Sequence, residues 1–165
     1  MKALFITLKE LKRKSIIDGN VDQDKLIQFV EVAQDTYIQT QLGTKLYDRL
    51  QFEVINDSLT TVNQTLIDDY LKPMLVWYSQ ATLIPYIAFQ ISNGGIYKHR
   101  SENSDSASLR EIDSLADDAK QKAEFYTQRF LGYMNENSES YPLYTAAQEG
   151  GMYPERDQNL TGWVL

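Results

Sequence analysis

Apolar residues recur every three to four positions over most of the chain, which is the spacing of one face of an α-helix. The clearest run lies between Leu109 and Tyr133, where apolar and small residues alternate steps of three and four. This run predicts a long helix packed along another helix, with alanines in its middle that allow close approach. The seam comprises Leu109, Ile112, Ala116, Ala119, Ala123, Tyr126, Phe130 and Tyr133.

Capping residues predict where the helices begin. Thr7 with Glu10, and Ser108 with Glu111, have the Ser/Thr-x-x-Glu spacing of a capping box. In this motif the hydroxyl accepts a hydrogen bond from the amide three residues later, and the glutamate reaches back. Single caps are predicted for the second, third and fourth helices at Asp22, Thr44 and Asn63.

Glycine and proline predict where the helices end or bend. Gly43 is expected to stop the second helix in a left-handed conformation. The fourth helix is predicted from about residue 64 to residue 92, and it contains Pro73 and Pro85. Because proline lacks an amide proton and clashes with the preceding turn, we expect a kink or a break there. Residues 96–106 are predicted to form a loop with a short extended piece.

These elements predict an all-α fold, a compact helical bundle of about five helices with an extended C-terminal tail. The helical domain is expected to span residues 1–137 and the C-terminal docking segment residues 138–165. The predicted core comprises Leu26, Val30, Leu66, Leu71, Trp77, Leu83, Ile112, Ala119 and Tyr126.

The segment 138–165 has no helical period, yet it is richer in aromatic residues than an ordinary disordered tail. Aromatic side chains dominate the energetics of protein interfaces. We therefore expect the segment to lie extended and to dock on a neighbouring subunit, so that deleting residues 145–165 leaves the helical domain folded. The predicted anchors are Tyr141, Leu143, Tyr144, Tyr153 and Trp163.

The length and the net charge of the chain reduce the number of functional classes to which it could belong. The chain has 165 residues, enough for one core, and a formal net charge of −7. An acidic chain is a poor candidate for a dedicated nucleic-acid binder, which needs a concentrated basic face. The longest apolar region, residues 74–91, is interrupted by polar residues and Pro85, so a buried helix is favoured over a membrane span. We expect a soluble protein.

Two small basic clusters stand out in this acidic chain. Lys98, His99 and Arg100 form one, and the other lies in the first predicted helix. Each cluster is interpreted either as a solvated surface or as a contact with DNA or an acidic partner. The first helix contributes Lys9, Lys12, Arg13 and Lys14.

Candidate chemistry is sparse. The chain contains no cysteine, and its one histidine, His99, cannot supply the Glu-x-x-His pairs of a carboxylate-bridged di-metal bundle. Asp18 to Asp22 resembles the start of a calcium loop, but Gln23 and Phe29 occupy the positions that require glycine and glutamate. We therefore predict a non-enzymatic protein without a cofactor or metal.

Several stretches of the chain resemble head–tail connector proteins of tailed bacteriophages, including those of crAss-like and other Bacteroidetes phages. The resemblance covers about residues 3–144 and lies in helical patterns rather than in a catalytic signature. The stretches that carry it are Phe5–Lys12, Asp18, Asp24–Ala33, Tyr37–Leu50, Ser92–Tyr97, Glu102–Ser108 and Asn135–Tyr144.

The resemblance implies a structural virion protein, made in the bacterial host cytoplasm and located at the head–tail interface. Such proteins form a dodecameric ring below the portal, extend the DNA channel, and give the tail a docking surface. The resemblance implies that Lys9, Lys12, Arg13 and Lys14 of the first helix could line this channel. The implied partners are other copies of the chain, the portal protein, neighbouring tail or ring proteins and, non-specifically, packaged DNA. Two alternatives stay open, a helical adaptor or regulator that forms no ring and a small enzyme with an unrecognised site.

Overall fold

The computed structural model describes residues 2–17, 21–87, 89–92, 95–98, 107–146 and 151–154. Within these residues helices dominate, as the sequence predicts, and the all-α prediction is confirmed apart from one short hairpin. The α-helices are α1 Leu8–Lys14, α2 Gln23–Ala33, α3 Gln39–Ile55, α4 Thr61–Thr65, α5 Lys72–Ile87, α6 Leu109–Glu136 and α7 Pro142–Thr145. The strands are β1 Phe89–Ser92 and β2 Gly95–Lys98, and a 3₁₀ turn spans Ser138–Ser140.

Helix α5 lies at the centre of the fold, because its apolar residues face several directions and are buried by several neighbours. It packs most extensively against α6 and next against α2. The paired residues Tyr70 with Tyr133 and Tyr78 with Thr127 show that α6 runs antiparallel to it. The buried side of α5 includes Met74, Leu75, Val76, Tyr78 and Leu83.

Two π-helical turns, Gln34–Ile38 and Leu66–Leu71, interrupt the helical path. The second lies immediately before Pro73. A proline cannot donate to the carbonyl four residues earlier and crowds it, and a wider turn relieves both problems. The predicted disturbance at Pro73 therefore takes the form of a π-helical turn, whereas α5 continues through Pro85.

The two capping boxes behave differently. At α6 both hydrogen bonds are present, since the Ser108 hydroxyl accepts from the Glu111 amide and the Glu111 carboxylate accepts from the Ser108 amide. At α1 the Thr7 hydroxyl accepts from the Glu10 amide, but the Glu10 carboxylate instead forms ion pairs with Lys14 and Lys72. The α1 glutamate thus ties its helix to α5.

Among the single caps, Asp22 is confirmed, because its carboxylate accepts a hydrogen bond from the Asp24 amide. The prediction that Asn63 caps the fourth helix is wrong. Thr60 caps α4 by accepting from the Asn63 amide, and the Asn63 side chain donates to Glu53. The helix starts earlier than predicted because a threonine hydroxyl three residues upstream fills the capping position.

The prediction that the fourth helix reaches residue 92 is also wrong. The described helix ends at Ile87, and β1 then pairs antiparallel with β2, with Phe89 opposite Lys98 and Ser92 opposite Gly95. β-branched and aromatic residues on both sides of a glycine turn favour a hairpin over continued helix. His99 and Arg100 lie outside the described residues.

The seam of α6 largely follows its prediction. Ile112, Ala119, Ala123 and Phe130 are buried, but Leu109 is 54% exposed and was wrongly placed in the seam. Because α6 runs antiparallel to α5 and is longer, its first turn extends beyond the end of α5.

Seven of the nine predicted core residues are buried. Trp77 and Tyr126 are only partly buried, and one face of each ring contacts a cationic side chain of α6. The Lys122 ammonium lies 4.9 Å from the Trp77 ring centre, and the Arg129 guanidinium lies 5.6 Å from that of Tyr126. Such rings bury their apolar body and keep a polar contact at the surface.

The N-terminal arm, residues 2–6, is held to the bundle by two glutamines. Buried Gln34 accepts from the Phe5 amide at 2.8 Å and donates to the Ala3 carbonyl at 2.9 Å. Gln51 accepts from the Ala3 amide at 2.7 Å and donates to the same carbonyl at 2.8 Å. These side chains satisfy backbone groups that a helix or sheet would otherwise pair.

Residues 138–146 do not lie extended, although the sequence predicts an extended tail from residue 138, and residues 147–150 and 155–165 of that tail lie outside the described residues. The 3₁₀ turn and α7 fold back on the bundle, and Tyr141 and Tyr144 are 2% and 3% exposed. The boundary between a helical domain and a docking segment therefore does not fall at residue 137, because residues 138–146 belong to the packed body.

Candidate partner-binding surface

A groove separates α3 and α4 from the turn that carries α7, and we call it the α3–α7 groove. Its volume is about 430 Å³. Val62 and Leu143 keep 44% and 37% of their surface exposed at this groove. The apolar part of its lining comprises Leu46, Val62, Tyr141, Pro142 and Leu143.

Tyr141 joins the elements that form the groove. Its hydroxyl donates to the Val62 carbonyl at 3.1 Å and lies 3.0 Å from the Tyr133 hydroxyl. Burial, together with the Tyr133 hydroxyl, raises the pKa of Tyr141 far above its ordinary value. The phenol therefore remains a hydrogen-bond donor at any physiological pH and fixes α7 against α4 and α6.

The polar side of the groove is an ion pair between buried Glu53 and Arg49, whose side chain is 52% exposed. The Glu53 side chain is 2% exposed, accepts from Arg49 Nε at 2.6 Å, and accepts from the Asn63 side-chain amide at 2.7 Å. Burial alone would raise the pKa of Glu53, but the bonds from Asn63 and Arg49 outweigh it and hold the pKa below its ordinary value. Glu53 is thus ionised at neutral pH, and the permanent positive charge of a guanidinium beside it leaves the pair with no net charge.

The segment 151–154 is fixed to α3 near the groove. The Thr44 amide donates to the Met152 carbonyl at 3.0 Å, and the Met152 amide donates to the Thr44 hydroxyl at 2.9 Å. The prediction that Thr44 caps a helix is therefore wrong, because its hydroxyl bonds to this segment. The predicted break at Gly43 is present, since this residue has φ 70° and ψ 160° inside α3.

Gly43 also lies directly against the segment. A Cβ atom at position 43 would lie 2.7 Å from Pro154 Cδ and 2.8 Å from Pro154 N. Only glycine combines a positive φ with this approach of another backbone. Gly43 therefore both bends α3 and leaves the space in which Pro154 packs.

The predicted anchors separate into three groups. Tyr141 and Tyr144 are buried in the chain's own core, and their prediction as anchors for a partner is therefore wrong. The short helix α7, which begins with Pro142, turns both rings inward. Leu143 lies at the rim of the α3–α7 groove, and Tyr153 is 57% exposed. Trp163 lies outside the described residues.

The basic residues of α1 are not equivalent. Lys12 donates to the Val21 carbonyl at 3.0 Å, and Lys14 pairs with Glu10 at 2.8 Å. Lys9 and Arg13 are exposed on the same helix. The cluster thus presents fewer available charges than its sequence indicates.

Among the described residues, no three His, Cys, Asp or Glu side chains come close enough to hold a metal ion. In the same part of the chain, no helix is long and apolar enough to cross a membrane.

Sequence reasoning missed the ion pair and the glutamines that hold the arm. A signal for the pair existed, since Arg49 and Glu53 have the i, i+4 spacing of helical ion pairs. Nothing local distinguishes Gln34 and Gln51 from solvated residues, because their partners in the arm are 29 to 48 positions away in the chain.

Comparison with known proteins supplies a family but no activity. Neither the curated proteins nor the solved structures include a significant match. The model of one family, described as a family of unknown function (DUF6712), matches residues 38–152. The match covers more than half of the chain and includes Gly43, Thr44 and Met152, whereas Pro154 lies two residues beyond its end. The chain therefore belongs to the DUF6712 family.

Proposed function

We propose that the chain is a structural virion protein that forms a ring between the portal and the tail of a bacteriophage. In this role it extends the DNA channel and gives the tail a docking surface. The proposal starts from the resemblance to head–tail connector proteins over about residues 3–144. The proposal places the chain in the virion. Its partners there are other copies of the chain, the portal protein and tail proteins.

The structural observation that carries the proposal is a helical body with two unlike surfaces. One is the concave α3–α7 groove, and the other is the segment 151–154 on α3, where Met152 and Tyr153 are 44% and 57% exposed. A ring closes through heterologous contacts, in which one face of a subunit meets a different face of the next. Two unlike surfaces on one subunit are compatible with such contacts.

The α1 helix fits a subordinate role in this assembly. Lys9 and Arg13 are exposed, and repetition around a ring would multiply two charges per subunit into a basic belt. Such a belt would contact phosphates without reading sequence. Packaged DNA is therefore a non-specific partner in the proposal.

The test is the oligomeric state of the purified chain, alone and with a portal protein of the same phage. Native mass spectrometry and electron microscopy are expected to show a closed ring, of twelve copies by the family resemblance, at least when the portal is present. A chain that stays monomeric or dimeric under both conditions would contradict the proposal. That result would favour the helical adaptor or regulator, whose groove would hold a peptide of another protein.

A further inference from the structure

We propose that two copies of the free chain form a two-fold symmetric dimer in which α6 of one copy packs antiparallel against α6 of the other. The contact is a row of residues on the exposed side of α6, which we call the α6 stripe. The inference goes beyond the proposed function, because a contact between two identical faces pairs copies and does not by itself build a ring. The stripe comprises Leu115, Asp118, Lys122, Phe125, Arg129 and Gly132.

The α6 stripe is a second face of the helix with the spacing of helical pairs. Its members are three and four residues apart in alternation, which keeps them in one row. The seam that packs on α5 is a different row, in which Ile112, Ala119 and Phe130 are buried. In the stripe, Leu115 and Phe125 keep 45% and 61% of their surface exposed. The described part of the chain therefore leaves this face open to a partner.

Charge complementarity favours an antiparallel arrangement of two stripes. With the two-fold axis between residues 123 and 124, Asp118 of each copy faces Arg129 of the other, so the ion pair occurs twice. The Arg129 guanidinium lies 6.0 Å from the ring centre of Tyr70 and 5.6 Å from that of Tyr126, and no described carboxylate pairs with it. A parallel arrangement would instead bring like charges together at both positions.

The sizes of the side chains support the same register. Leu115 of each copy lies opposite Gly132 of the other, where a Cβ atom would have nothing within 4 Å. A large side chain thus meets the smallest one, as in knobs-into-holes packing. Lys122 lies opposite Phe125, and a cation over an aromatic ring is favourable. The Lys122 ammonium already lies 4.9 Å from the Trp77 ring centre, so the dimer would place it between two rings.

These complementary groups cannot meet within one chain. Asp118 and Arg129 are eleven residues apart on one continuous helix, which separates them by about 16 Å along its axis. Leu115 and Gly132 are about 25 Å apart by the same rise per residue. Within its own copy, Asp118 pairs with Lys122, one turn away. The complementarity of the stripe is therefore satisfied only by a second copy.

The contact has defined ends. Continuing the row in both directions brings Glu111 opposite Glu136 of the other copy, and like charges there oppose a longer contact. The stripe between these ends is about 25 Å long. One pair of helices over this length buries less surface than permanent subunit interfaces do, so we expect a dimer that dissociates on dilution.

Charge reversal tests the pairing, with sedimentation equilibrium of the full chain as the measurement. Asp118→Arg and Arg129→Asp should each raise the dissociation constant of the dimer about tenfold or more, because like charges then face each other twice. An equimolar mixture of the two variants should form a heterodimer about as tight as the natural dimer, because opposite charges face each other again at both pairs. Asp117→Arg and Lys120→Asp make the same charge changes at exposed positions of α6 outside the stripe. These controls should change the dissociation constant by less than about twofold.

Three results of this experiment would overturn the inference. One is a natural chain that stays monomeric at every concentration. Another is weakened association of both variants without recovery in their mixture, which would show that the two positions do not face each other. The third is an equal loss of association in the controls, which would show that net charge rather than the stripe governs association.

A disulfide test fixes the direction of the pairing. The natural chain has no cysteine, so a variant with Leu115→Cys and Gly132→Cys has two thiols. A disulfide needs Cα atoms within about 7 Å, so these two positions of one helix cannot bond to each other within a chain. Under mild oxidation we expect a covalent dimer, and little from the control with Leu115→Cys and Gln128→Cys, whose second site is exposed outside the stripe. Ready cross-linking of Leu115→Cys alone would show parallel stripes and would overturn the inference.

The outcome is separate from that of the proposed ring. Rings on the portal together with a free chain that is monomeric would remove the inference and leave the proposed function standing. A chain that forms the stripe dimer and stays dimeric with the portal would do the reverse.

Discussion

At the scale of single residues, the positions that matter most are those with contacts far away in the sequence. Gly43 looks like an ordinary helix stop in the sequence, yet Pro154 packs into the space that a side chain at this position would fill. Glu53 looks like half of a surface ion pair, yet its side chain is almost fully buried. Both residues yield predictions that a surface interpretation would not make.

We expect Gly43→Ala to lower the free energy of unfolding by about 1–3 kcal/mol, the usual cost of a strained non-glycine conformation. The added Cβ would meet the backbone of Pro154 at a positive φ. Chemical denaturation measures the change. The matched control is Gly132→Ala, which has open space around its Cβ and should stabilise α6 by about 0.5–1 kcal/mol. Equal effects of the two substitutions would refute this account of Gly43.

Glu53 is expected to make stability depend on acid. Its pKa lies below the ordinary 4.5 in the folded chain, so its contribution is present above that pH and is lost as the pH falls through the folded pKa. Glu53→Gln should cost about 1–3 kcal/mol at pH 7, because it removes charge-assisted hydrogen bonds. It should also flatten the fall in stability below about pH 4.5.

Denaturation curves measured between pH 7 and pH 3 check this expectation. The control is Glu124→Gln, at an exposed position of α6. A pH profile of Glu53→Gln that parallels the natural chain would show that Glu53 has no part in acid sensitivity.

At the scale of elements, the α5–α6 interface is the main contact of the fold. Ala119 is 3% exposed and Ala123 is fully buried at this contact, where their small side chains allow the helices to approach. The interface depends on the sizes of these residues more than on their hydrophobicity.

We expect Ala119→Phe to lower the free energy of unfolding by about 1–3 kcal/mol, because the larger side chain overpacks a filled interface. Thermal or chemical unfolding measures the change. Gln121→Phe, at an exposed position two residues later, introduces the same side chain and should change stability by less than about 0.5 kcal/mol. If Ala119→Phe melts like the natural chain, Ala119 does not face α5.

At the scale of the whole molecule, the chain carries a net charge of −7. Of the basic cluster predicted in the first helix, only Lys9 and Arg13 are exposed without a described carboxylate or carbonyl partner. The first helix of a single subunit therefore presents too few cations to hold DNA tightly. Any useful contact with DNA would come from many subunits side by side.

The isolated chain is thus expected to bind duplex DNA with a dissociation constant of about 10⁻⁴ M or weaker at physiological salt, as non-specific contacts do. In assembled rings, Lys9→Gln with Arg13→Gln should reduce this binding and its salt dependence. Replacing exposed Lys25 and Lys120 by Gln serves as the charge-matched control. Fluorescence anisotropy measures both, and tight, sequence-selective binding by the single chain would instead favour a regulator.

The sequence by itself determined the features that depend on near neighbours in the chain. The helical class, the Ser108 capping box, the disturbance at Pro73 and most of the α6 seam follow from periodicity and from hydrogen bonds three to four residues long. The same local rules explain why the core prediction was largely confirmed, since an apolar stripe on a helix must be covered.

Only the tertiary structure decided the features that join distant parts of the chain. Burial of Tyr141 depends on the Val62 carbonyl, which lies 79 positions earlier, and the Met152 contact with Thr44 joins residues 108 positions apart. No local sequence pattern predicts such contacts. They stabilise the fold only after packing has brought the two distant partners within hydrogen-bonding distance. The α3–α7 groove exists for the same reason, since its walls are brought together by the fold.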